Sequence, residues 1–138
     1  MSWSWLDILW HVLAYPIYQI IGTLRHEGCH AIVARSFGAS ILEFRFLPHR
    51  RDGRWYWGYV KYEGSDLDRD QIEVVKKAPY VLDIALVLAW FLVDRLREFE
   101  SFHWWAFATV MLLVSPVVDF VYNLFKALVW HRGDLVDE

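Results

Sequence analysis

Cysteine occurs once in the 138 residues, at Cys29, so no intrachain disulfide can form and the fold must hold without covalent cross-links. A basic stripe is also missing. The net charge is −3 and nothing in the pattern suits a phosphate backbone, so no nucleic-acid partner is expected. The segment from Met1 to Asp7 lacks the basic region of a secretory signal, and no small-residue cleavage site follows. If the first apolar stretch enters a membrane, it is expected to stay there. No internal repeat, low-complexity stretch or linker divides the chain, and its length suits one domain, residues 1–138.

Apolar and aromatic surface is what the chain has in excess. Hydrophobic residues make up 57%, aromatics 18% with nine Trp, and mean hydropathy is +0.22. A domain this small has much surface for its volume and needs polar residues to cover it in water. Either partners coat it or lipid is part of its solvent.

The excess is arranged in blocks. Residues 5–37 are mainly apolar, with Trp3, Trp5 and Trp10 suited to an interfacial belt. Pro16 is expected to kink this helix rather than end it, and Gly38 to stop it. Residues 41–62 change period: Leu42, Phe44 and Phe46 alternate with Glu43 and Arg45, and Asp52-Gly53 is a turn dipeptide. A run of β-formers from Trp55 to Tyr62 follows, so the segment predicts a β-hairpin with a longish loop. Residues 64–77 are polar and predict a short surface helix beginning near Ser65 or Asp66. Residues 79–93 and 102–130 are two further apolar blocks.

These patterns predict a mainly α, polytopic membrane protein. Its three spans fall at about 5–37, 79–93 and 102–130, with a β-hairpin between the first and second. Eight Lys or Arg fall between Gly38 and Ala78, at positions 45, 50, 51, 54, 61, 69, 76 and 77. The positive-inside rule then puts the hairpin and C-terminus in the cytoplasm and the N-terminus outside.

Within the first apolar block lies His26-Glu27-Gly28-Cys29-His30, an H-E-x-x-H pattern. Four residues is just over one helical turn, so both imidazoles leave one face and can share one Zn2+ ion. Glu27 stands beside them, placed to take a proton from water that the metal activates. Two histidines and a glutamate could instead line a polar helix seam. The apolar surroundings argue against that, because ionisable groups in such a helix call for a function or a partner.

A catalytic zinc needs a third protein ligand. Asp119 leads, since it interrupts the longest apolar run after the Ser115-Pro116 break and lies late in a span parallel to the first. Asp83, a few residues into the second span, is the competing carboxylate. Asn123, one turn after Asp119, could bind a substrate carbonyl, orient Asp119 or bridge two helices. Cys29 reads as a small packed residue. His11, His49, His103 and His131 read as interfacial or loop residues.

The stretch from His26 to Ala39, with its Ala31, Arg35 and Phe37-Gly38, resembles the active-site helix of the site-2 protease family of intramembrane zinc metalloproteases. Ser115-Pro116-Val117-Val118-Asp119 is similar to the family's second motif. Ser115 stands where the family has Asn, and Phe120 where Gly commonly follows the aspartate. The resemblance implies His26, His30 and Asp119 as metal ligands and Glu27 as general base, in a minimal core form of the family. It implies peptide-bond hydrolysis in transmembrane or membrane-proximal protein substrates, with membrane lipid as solvent and the oligomeric state open. An unwound substrate segment could add to the edge of the hairpin, which could equally serve only as a surface lid. Two rivals stand beside this reading: a membrane adaptor of the same fold that cleaves nothing, and a soluble or peripheral metallopeptidase.

Overall fold

Ser4 starts the first helix by a reciprocal cap. Its hydroxyl accepts from the Asp7 N–H at 3.2 Å, while the Asp7 carboxylate accepts from the Ser4 N–H at 3.0 Å. In this computed structural model, which describes residues 4–51, 53–64, 67–96 and 101–130, the helix that follows is α1, Trp5–Ser36. Pro16 lies inside α1 without ending it. Gly38, at φ +93°, does end it: its N–H donates to the Arg35 carbonyl and the Ala39 N–H to the Ala34 carbonyl. That is a Schellman close, and it needs the left-handed backbone that glycine adopts freely.

The chain then forms β1 (Ser40–Arg45), β2 (His49–Arg51), β3 (Arg54–Tyr56) and β4 (Tyr59–Glu63). The expected hairpin is present, but its loop carries a ladder of its own. β1 pairs antiparallel with β4, and β2 with β3 around Gly53 at φ +78°. A bulge between Ile41 and Glu43 shifts the outer register. Burial still alternates along β1, with Leu42 and Phe44 exposed and Ile41 and Glu43 half-buried. The apolar face of β1 thus points away from the protein.

The predicted surface helix and second span are a single element, α2 (Arg69–Leu96). Pro79 sits inside it, and the polar first turns hold a Lys77–Glu73 pair at 2.6 Å. The predicted start at Ser65 or Asp66 lies outside the described residues. The third apolar block is continuous as well: α3 (Phe102–Thr109), a π-helical segment at Val110–Val114, and α4 (Ser115–Trp130). Pro116 has no N–H and its ring crowds the preceding turn. The helix absorbs this by widening, with the Ser115 N–H donating to the Val110 carbonyl five residues back. The Ser115-Pro116 break is therefore a π turn.

The protein is mostly helical with a small sheet. One stretch, Phe102–Val129, is long and apolar enough to cross a membrane, at 28 residues and mean hydropathy 1.7. Among the described residues no other helix meets that measure. Among the described residues the buried apolar cluster sits at the sheet end, where Ala34, Ala39, Leu67 and Val75 meet, while Tyr18, Tyr80 and Ala106 are buried singly along the helices. Elsewhere the long helices touch through aromatic pairs, Tyr18–Phe107 and Tyr80–Phe120, and through small or polar residues. A Cβ on Gly22 of α1 would lie 2.5 Å from the Ser115 hydroxyl oxygen, so a larger residue there would require that hydroxyl to turn away.

Candidate metal centre

α1 presents His26 and His30 one turn apart, both buried, with ring centroids 4.8 Å apart. Each ring is fixed by its Nδ1. His30 Nδ1 lies 2.8 Å from the Val75 carbonyl of α2, and His26 Nδ1 lies 2.6 Å from Asp119 Oδ2 of α4. A carbonyl and a carboxylate only accept, so the Nδ1 atoms carry the protons and donate. Both Nε2 lone pairs are then directed inward, and the two Nε2 atoms lie 3.1 Å apart. Lone pairs at that distance call for a cation or a shared proton between them. Two nitrogens on one tetrahedral zinc are separated by roughly 3.3 Å, so the pair fits such an ion with little movement.

Two carboxylates stand beside His26, in a group of candidate ligands that does not include His30. His26, Asp83 and Asp119 offer ligand atoms within 4.8 Å of one another. The structure thus brings both candidate third ligands to His26. Asp119 Oδ2 faces His26, and its Oδ1 accepts from Asn123 Nδ2 at 3.1 Å. Asn123 also donates to the Asp119 carbonyl, so it buttresses that aspartate. Asp83 is 3% exposed; its Oδ1 accepts from Arg25 Nη2 at 2.8 Å, while its buried Oδ2 has no hydrogen-bond partner among the described residues. An orphaned carboxylate oxygen beside the His26 imidazole and a second aspartate is the setting a divalent cation satisfies.

Glu27 and both histidines line a cavity of about 540 Å³. The hairpin roofs it: Trp55, Trp57 and Tyr59 form part of the wall, and Gly58 lies directly over the motif helix. A Cβ at Gly58 would fall 2.6 Å from Thr23 Cγ2, 2.8 Å from the Arg45 carbonyl and 2.9 Å from Glu27 Cγ. Only glycine fits there. Gly58→Val is accordingly expected to lift the hairpin or displace Glu27, cutting activity about 100-fold, the scale of a 1 Å misplacement. Metal content should hold at the wild-type level. An unchanged rate would show that the roof does not position Glu27.

Arg25 is the residue that sequence reasoning missed. Besides pairing with Asp83, its Nη1 donates at 3.4 Å to the Met111 carbonyl, inside the π segment. Its signal was a lone arginine beside the motif in an apolar helix. Cys29 is half-buried and not among the cavity-lining residues. His11 and His103 pair with each other near Tyr18, at the far end of α1, and His49 packs on Tyr56 and Tyr59. None of the three belongs to the centre, and His131 lies outside the described residues. Comparisons with protein-family models, with curated proteins and with solved structures each returned no match.

Proposed function

We propose that the protein is an intramembrane zinc metalloprotease hydrolysing peptide bonds of transmembrane or membrane-proximal proteins. The observation that carries this reading is the convergence of the His26 and His30 Nε2 atoms at 3.1 Å, with Glu27 on the wall of the same cavity. His26 and His30 would hold the ion together with a carboxylate, Asp119 or Asp83. When bound, zinc would polarise the scissile carbonyl and acidify water. Glu27 accepts the proton from the attacking water and returns it to the leaving amine. Asp119 and the Val75 carbonyl keep the two imidazoles in the tautomer that turns Nε2 inward.

A lipid environment is supported by what the helices leave outside. Leu13 is 68% exposed, Ile32 72%, Leu88 64% and Leu128 68%. On a water-soluble protein such continuous apolar surface drives association. In a bilayer it faces acyl chains, and the His, Asp and Arg groups lie inside, where intramembrane ionisable residues belong. All three long helical stretches would then span, with the sheet and C-terminus cytoplasmic and the N-terminus outside.

The purified protein is expected to contain one zinc per chain, to stay in the membrane pellet after carbonate extraction, and to cleave a transmembrane peptide in proteoliposomes. Release into the soluble fraction would refute the spans. Absence of bound zinc would refute the metal centre.

A further inference from the structure

One cation at this site has no charged partner among the described residues. Lys126, half-buried on α4, reaches back one turn so that its ammonium donates to Asn123 Oδ1 at 3.1 Å and lies 5.2 Å from the centre of the Tyr122 ring. Neither group is an anion. Lys77, by contrast, is paired with Glu73. Asp119, the acid nearest along α4, has both oxygens engaged by His26 and Asn123. An ammonium turned inward along an apolar helix is costly unless a counter-ion meets it.

The ammonium's surroundings say where that counter-ion comes from. Lys126 lines the cavity that holds Glu27, with Lys76 of α2 on the same lining. On the basis of the protease reading above, we infer that the cavity takes a substrate carboxylate, bound by Lys126 two or three residues from the scissile bond. The spacing follows from the hydrogen-bond chain Lys126–Asn123–Asp119, whose links of 3.1 Å on either side of one amide limit the ammonium to roughly 8 Å from Asp119. Extended peptide covers that distance in two to three residues at about 3.3 Å each. The carboxylate is either an acidic side chain or a free C-terminus; both present the same group to the lysine.

Three matched fluorescent peptides distinguish the sources: one amidated with an Asp three residues beyond the scissile bond, one neutral with a free C-terminus, and one neutral and amidated. Binding is measured by anisotropy on the full-length, zinc-loaded protein in detergent. One or both carboxylate peptides should bind at least tenfold tighter than the neutral amide, and the tighter one names the source. Raising the salt should shrink the preference. In Lys126→Met the ratio should collapse to near one, and in Lys126→Arg it should persist. Equal binding of all three peptides by wild type, or an undiminished ratio in Lys126→Met, would overturn the inference. Because binding needs no turnover, a protein that keeps the preference but cleaves nothing sinks the protease reading alone. A protein that cleaves all three peptides with equal kcat/KM sinks the carboxylate site alone.

Discussion

Glu27→Gln is expected to lower peptide cleavage about 10²- to 10⁴-fold while the protein still carries one zinc per chain. The substitution keeps the size and shape of the side chain, so the contact between position 27 and Gly58 persists and the roof of the cavity stays seated. What it removes is the capacity to take a proton. Glu27 is assigned proton transfer and not metal binding, so metal content should not fall with activity. Turnover in proteoliposomes, read beside metal analysis of the same preparation, separates the two. Equal cleavage by wild type and Glu27→Gln would end the general-base assignment. Parallel loss of zinc and activity would instead make Glu27 a ligand.

The two aspartates should respond differently. Asp119→Ala deletes the acceptor that orients His26 and the partner of Asn123, so zinc affinity should fall at least 10- to 100-fold, and further if the carboxylate also binds the ion. Asp83→Asn leaves the Arg25 guanidinium buried without a counter-charge. Breaking such a pair costs about 3–5 kcal/mol, visible as a lower thermal midpoint, with a smaller change in zinc affinity. Competition titration against a chromophoric chelator measures the affinities. Zinc loss in Asp83→Asn with retention in Asp119→Ala would reverse the roles.

Local chemistry made α1 legible. The apolar run from Trp5 marks its start, Gly38 its end, and the histidine spacing puts both rings on one face. The hairpin was readable from alternation and the Asp52-Gly53 turn, but its division into two ladders was not. Pro48 lies between β1 and β2 and has no N–H to give a ladder, and the alternation along β1 does not say which of its two faces turns inward. The continuity of α2 was missed because hydropathy changes at Pro79 while the backbone does not, and the polar turns before it are as helical as the apolar ones after it. Asp119 could be found because it interrupts a long apolar run. The Arg25–Asp83 pair joins residues 58 positions apart, and no periodicity reports a contact of that kind.

The π turn at Val110–Val114 also sets the angular register of everything beyond it. One extra residue in a helix turns the following side chains by about 100° relative to those before. Asp119 meets His26, and Asn123 and Lys126 line the same cavity, because α4 enters with that added rotation after α3 has been docked on α1 and α2. The aim of the polar site is therefore fixed by the length of an apolar stretch containing no polar side chain. Losing a single Val or Leu there would leave every candidate ligand in the chain and point three of the site's residues elsewhere.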